Sequence, residues 1–169
     1  MLSSVLRKKI VVAIAITALA LGFRLFLALH LPNDDDDDGK FYALIAKNLL
    51  DHNGYSGEEE EPYVPTYVRV PGYPLVLAGL FRVFGRDNQI AVRVVQAIVD
   101  TVTCWMVALL AFAWTPTEWE LEERRRAMLI ALALAAACPF TAIYASTILT
   151  ESWAMLLVTS FVLVATNAF

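Results

Sequence analysis

One uninterrupted apolar run near the N-terminus constrains this chain more than any other feature. From Ile10 to Leu31 the residues are almost all apolar, with Arg24 as the one charged side chain. About 20 residues in helical conformation cross the hydrocarbon core of a bilayer. A cleaved signal peptide, the competing interpretation, has a shorter apolar stretch and ends in a site of small residues, which is not seen here. The run therefore predicts a membrane-spanning helix.

Three further apolar runs give the fold class. Hydrophobic residues make up 59% of the 169 residues, above the roughly half that is usual in soluble domains. The later runs cover about 90–114, 127–148 and 152–169, and Pro139 predicts a kink in the third of them. We expect an all-α fold, a polytopic transmembrane helical bundle. The fourth run reaches Phe169 without flanking basic residues, so we expect the chain to be the N-terminal part of a longer protein.

Basic residues predict the orientation in the membrane. Arg7 to Lys9 precede the first span, and Arg124 to Arg126 lie between the second and third. Short basic segments stay on the cytoplasmic side. We therefore expect a multi-pass protein of the plasma membrane if the source is prokaryotic, with a cytoplasmic N-terminus and a non-cytoplasmic loop over 32–89.

The loop over 32–89 holds most of the acidic residues, including five consecutive aspartates, and nucleic acid is excluded as a partner for such a surface. Two short helices are expected within it, at about 38–50 and 73–84, as interfacial helices of the outer membrane surface. Pro74 suits the first turn of the second helix and Gly85 its C-terminal end.

Several short motifs follow one another on the predicted outer side. Taken together they resemble the GT-C superfamily of membrane glycosyltransferases, in particular the branch of protein O-mannosyltransferases and the aminoarabinose transferase of lipid A. The resemblance covers nearly the whole chain from the first span onward. The motifs that carry it are Asp38-Gly39-Lys40-Phe41-Tyr42, Ala46-Lys47-Asn48-Leu49, Gly54-Tyr55-Ser56, Arg69-Val70-Pro71-Gly72-Tyr73-Pro74, Arg93-Val94-Val95-Gln96 and Leu149-Thr150-Glu151.

The resemblance implies the catalytic residues. The family has a catalytic aspartate in the first outer loop, ahead of a helix that contains a tyrosine. Asp38, four residues before Tyr42, matches it, and Asp37 is the second choice because the aspartate run blurs the position. Asp34 to Asp36 are expected to be solvated surface. The family also places an acidic residue at the position of Glu151, facing the catalytic cavity, although a glutamate at a helix N-terminus is favourable by itself.

The resemblance also implies the substrate and its binding residues. Arg69 would hold the phosphate of a polyprenyl-phosphate sugar donor, since a guanidinium binds phosphate bidentately. Lys40, Tyr42 and Tyr73 complete the substrate-binding prediction. The expected reaction is an inverting transfer of the sugar to an acceptor hydroxyl of a glycan, lipid or protein at the bilayer surface. No cofactor is certain, and a divalent cation at the outer carboxylates is left open.

Two other interpretations remain beside the enzyme. The chain is alternatively a fragment of a transporter or channel, or a non-catalytic membrane remnant. Arg24 and Asp100 are ionisable residues inside predicted spans, and such residues rarely face lipid. Because they fall at similar depths, we expect them to form an ion pair between the first two spans, with a proton or ion pathway as the alternative.

Overall fold

A computed structural model describes residues 4–31 and 37–168, and throughout these ranges the regular structure is helical. The all-helical prediction is therefore confirmed for the described residues. In chain order the helices are α1 (Ser4–His30), α2 (Asp37–Leu50), α3 (Gly72–Phe84), α4 (Gln89–Trp114), α5 (Leu121–Ala136), α6 (Pro139–Ala145) and α7 (Glu151–Ala168).

Two helices, α1 and α4, are long and apolar enough to cross a membrane, and α5 with α6 makes a third crossing if the bent pair counts as one span. The pair bends by 55° at a break before Pro139, so the predicted kink is confirmed. The fourth predicted span, 152–169, is not among the helices long enough to cross a membrane. The apolar part of α7, Glu151–Thr166, rises about 24 Å, which is less than the about 30 Å of a bilayer core.

A buried ion pair joins α1 to α4, as expected from the sequence. Arg24 Nε lies 2.5 Å from Asp100 Oδ2, and the two residues are 0% and 3% exposed. Thr17 of α1 accepts a second contact between these helices, from the indole Nε1 of Trp105 at 3.0 Å. The predicted pairing of Arg24 and Asp100 is confirmed.

The same arginine stabilises the break between α5 and α6. Its guanidinium donates to the carbonyl of Ala136 at 3.1 Å and, more weakly, to that of Ala135 at 3.4 Å. Pro139 cannot supply an N–H to the end of α5, although the Cys138 N–H still donates to the Ala135 carbonyl at 3.3 Å. In an apolar environment further donors must come from elsewhere in the protein. Arg24 adds its donors to both carbonyls.

The two short helices, α2 and α3, pack on each other at the end of the bundle where α4 begins. Their common apolar cluster includes Tyr42, Leu77 and Phe81 and extends to Val92 of α4 and Ile148. Gly85 caps the C-terminal end of α3; its φ of 108° suits glycine, and its N–H donates to Phe81 O at 3.1 Å.

Basic side chains gather at the opposite end of the bundle. Lys9 of α1 is paired with Glu122 of α5. Arg124 donates to Thr115, just after α4, at 3.0 Å. The two basic segments of the sequence therefore share the end that lies away from α2 and α3.

Candidate functional site

The candidate site begins on α2, where Asp38 and Tyr42 are one helical turn apart and share a face. Asp38 forms an ion pair with Arg69, from the loop between α2 and α3. The Arg69 guanidinium also lies over the Tyr42 ring, 5.4 Å from its centre. A cation above an aromatic face is attracted by the ring electrons. The structure thus joins three of the residues that the sequence singled out.

The loop that carries Arg69 is held in place by polar contacts with its own neighbours. The Tyr55 hydroxyl donates to the backbone carbonyl of Arg69 at 2.9 Å. Burial raises the pKa of the Tyr55 phenol above its ordinary value of 10.0, and Tyr42 adds to the rise, so the hydroxyl remains a donor at neutral pH. The Asn48 amide donates to the carbonyls of Ser56 at 2.9 Å and Glu58 at 2.8 Å.

Tyr73 of α3 connects α2 to the long helix α4. Its ring meets that of Tyr42 edge to face, with centres 5.1 Å apart. Its hydroxyl donates to Oε1 of Gln96 on α4 at 2.8 Å, and the Gln96 amide donates to Thr147 O at 2.6 Å. Gln96 is fully buried. Asp38, Arg69, Tyr42, Tyr73 and Gln96 form one continuous set of contacts, the Asp38 network.

The outer part of the Asp38 network is open to an incoming group. Half of the Asp38 side-chain surface is exposed, against 28% for Arg69. The Nε–H of Arg69 is buried and has no hydrogen-bond partner among the described residues. A half-exposed carboxylate therefore stands beside a guanidinium whose side chain is itself partly exposed.

Asp37 and Lys40 lie on a different face of α2 from Asp38. Both line an open depression of about 360 Å³, together with Lys47 and Asp87. Lys47 and Asp87 form an ion pair there at 3.2 Å. Asp37 and Lys40 therefore line this depression, whereas Asp38 is paired with Arg69. The prediction of solvated surface for 34–36 lies outside the described residues.

Glu151 lines a cavity of its own. The cavity has a volume of about 230 Å³ and is bounded by α4, α6 and α7, with Asp100 and Ser152 also in its wall. Glu151 Oε2 and Ser152 Oγ have no hydrogen-bond partner in the described part of the chain. Glu151 begins α7 four residues after Thr147, the acceptor of the Gln96 amide, and the segment between them is not helical. It is thus near the inner end of the Asp38 network but outside its contacts.

Two residues of this region, Gln96 and Tyr55, have contacts that were not predicted from the sequence. Gln96 lies in one of the quoted motifs, and a buried glutamine inside an apolar helix requires polar partners. That requirement could have predicted polar contacts for Gln96 from the sequence. Tyr55 also lies in a quoted motif, but its bond to a backbone carbonyl depends on how the loop folds, which no pattern in the sequence gives.

A metal site is not formed by the residues that the structure describes. Between 4 and 31 and between 37 and 168, no three His, Cys, Asp or Glu side chains are grouped closely enough to hold an ion. A divalent cation at the outer carboxylates stays a prediction.

The described residues form a helical protein with two or three helices long and apolar enough to span a membrane, and with a charged aromatic network at one end of its long helices. Comparison with models of known protein families, with curated proteins and with solved structures finds no match to this chain.

Proposed function

We propose that this protein takes part in transferring a sugar from a polyprenyl-phosphate donor to an acceptor hydroxyl on the non-cytoplasmic face of the membrane. The observation that carries the proposal is the Asp38 network. It joins the carboxylate of the Asp38–Tyr42 motif to the arginine of the Arg69–Pro74 motif. These motifs are far apart in sequence, and the resemblance assigns one to catalysis and the other to phosphate binding.

The positive charge of Arg69 can stabilise the departing phosphate. Transfer leaves a polyprenyl phosphate whose negative charge grows as the bond to the sugar breaks, and a nearby guanidinium stabilises that charge. Asp38 and the Tyr42 ring hold the guanidinium from two sides, so it is oriented before the donor arrives. The exposed part of the Arg69 side chain, 28% of its surface, is where phosphate oxygens can make contact.

The carboxylate of Asp38 can act as the base that deprotonates the acceptor hydroxyl. A partly exposed carboxylate can accept the proton of an acceptor hydroxyl as that oxygen attacks the sugar carbon. The proton passes to Asp38, a bond forms between the acceptor oxygen and the sugar, and the bond to the phosphate oxygen breaks. Asp37 and Lys40, on the other face of α2, are left without a direct role in this step.

The proposal includes a polytopic arrangement with the Asp38 network outside. Two or three helices are suited to cross a membrane. The network lies at the end of these helices that is opposite the Lys9–Glu122 pair. Basic segments favour the cytoplasm, which supports an outer position for Asp38 and Arg69. The apolar surface of α3 next to the network would lie against the prenyl chain.

Donor consumption tests this function without knowledge of the acceptor. The protein expressed from its full gene is incubated in membranes with a panel of polyprenyl-phosphate hexoses and pentoses that carry labelled sugar. Loss of label from at least one lipid carrier is expected. Arg69→Gln should slow it at least about tenfold, because a charged contact to the leaving group is removed. The matched control is Arg82→Gln, at an exposed arginine of α3. Every donor remaining intact, or equal rates in both variants, would contradict the proposal.

A transporter is the second candidate, and one observation favours it. The buried Arg24–Asp100 pair lies at a broken helix, and ionisable groups at broken helices are typical of transport sites. Flux of a labelled solute into vesicles, lost in Asp100→Asn while the donor panel stays untouched, would support this candidate over sugar transfer.

A further inference from the structure

An apolar groove lies at the end of the bundle opposite the Asp38 network. It has a volume of about 210 Å³ and runs between α1, α4 and α5. Its walls include Ile10, Ala13, Trp105 and Met128, and this set is apolar throughout. Lys9 and Arg125 also line it and are the charged residues at its edge. The groove therefore combines apolar walls with a cationic edge.

The two cations share a single carboxylate. Lys9 is paired with Glu122, and Arg125 Nη1 lies 3.5 Å from the other oxygen of the same carboxylate. One negative charge faces two positive charges, so the edge of the groove keeps a net positive charge. Arg7 and Lys8, both exposed, precede it on α1. This charge is complementary to a phosphate.

The lining indicates what can occupy the groove. An acyl chain is narrow and flexible, and it suits the apolar walls formed by Ile10, Ala13 and Trp105. Basic pockets between membrane helices on the cytoplasmic side bind anionic lipid headgroups.

We infer that this groove binds an anionic phospholipid, with its phosphate at Lys9 and Arg125 and one acyl chain along Ile10, Ala13 and Trp105. The inference is independent of the sugar-transfer proposal, because it concerns the other end of the molecule and none of the residues of the Asp38 network.

Trp105 provides the readout. The chain is reconstituted in phosphatidylcholine bilayers with increasing phosphatidylglycerol whose acyl chains are brominated, and tryptophan fluorescence is recorded. A bound brominated chain should quench Trp105, so quenching should saturate at a low mole fraction of phosphatidylglycerol. Brominated phosphatidylcholine should quench only in proportion to its amount. The saturating component should disappear in Trp105→Phe.

Charge variants then distinguish a lipid site from general contact with the bilayer. Lys9→Gln combined with Arg125→Gln should weaken the saturable binding at least about tenfold, as expected for loss of two charge-assisted contacts, while Arg82→Gln leaves it unchanged. Glu122→Gln should strengthen it severalfold, since the phosphate no longer competes with a carboxylate. Water-soluble glycerol phosphate should not displace the lipid.

Three results would overturn the inference. These are equal quenching by the two brominated lipids, unchanged binding in the double variant, and weaker binding in Glu122→Gln. The last is decisive even if the double variant fails to fold, because a purely structural role for the Glu122 pairs predicts loss rather than gain in that variant.

Discussion

At the scale of single residues, the site depends on buried polar side chains that form hydrogen bonds with one another. Tyr73 and Gln96 are both buried, and each supplies the partner that the other requires. A buried polar group that loses its partner carries its full desolvation cost. The contacts behind Asp38 and Arg69 are therefore expected to matter for stability as well as for position.

Tyr73→Phe removes the hydroxyl while keeping the ring against Tyr42. Gln96 Oε1 then has no donor from Tyr73, and we expect the free energy of unfolding to fall by about 1–2 kcal/mol. Tyr67→Phe is the matched control, because Tyr67 is 93% exposed. The free energies of unfolding of the two variants are measured in mixed micelles with increasing denaturing detergent. Equal stability of the two variants would show that the hydrogen bond to Gln96 contributes nothing.

At the scale of elements, the positions of the helices were largely predictable and the connections between them were not. The long apolar runs predicted α1 and α4, and Pro139 predicted the bend between α5 and α6. Both features can be predicted because the length of an apolar run and the missing proline N–H depend only on the local sequence. The contact of Arg24 with the carbonyls of Ala135 and Ala136 depends on how three helices pack. Only the pairing of Arg24 with Asp100 could be predicted, from their similar depths.

Arg24→Met tests this junction. It leaves Asp100 buried without its cation and takes the donors away from the end of α5. Breaking one side of a buried pair costs about 3–5 kcal/mol, so the variant should unfold at much lower denaturant. Arg7→Met, at an exposed arginine of the same helix, should change stability little. A loss no larger than that of the control would contradict the structural role of the pair.

At the scale of the whole molecule, the two ends carry different chemistry. One end holds the Asp38 network with α2 and α3, and the other holds the Lys9–Glu122 pair. The sequence predicted this division because charge runs are visible directly. It could not separate Asp37 from Asp38, since neighbours in an aspartate run look alike until the helix face is known.

Orientation in the membrane follows from that division and can be measured. A cysteine at position 67, by Tyr67→Cys, should react with a membrane-impermeant maleimide in intact spheroplasts. Lys8→Cys should react only after the membrane is opened, because Lys8 belongs to the basic end. Labelling of Lys8→Cys in sealed cells would show that the N-terminal end of α1 faces outward, and would contradict the proposed outer position of Asp38.

In the proposed transfer Asp38, placed beside Arg69, accepts the proton of the acceptor hydroxyl. To test this role, Asp38→Asn is compared with Asp37→Asn in the donor-consumption assay, at equal amounts of protein in the membrane. Both substitutions remove one negative charge from adjacent positions of α2. Transfer should be abolished in Asp38→Asn and retained in Asp37→Asn. Retained transfer in Asp38→Asn would contradict the account.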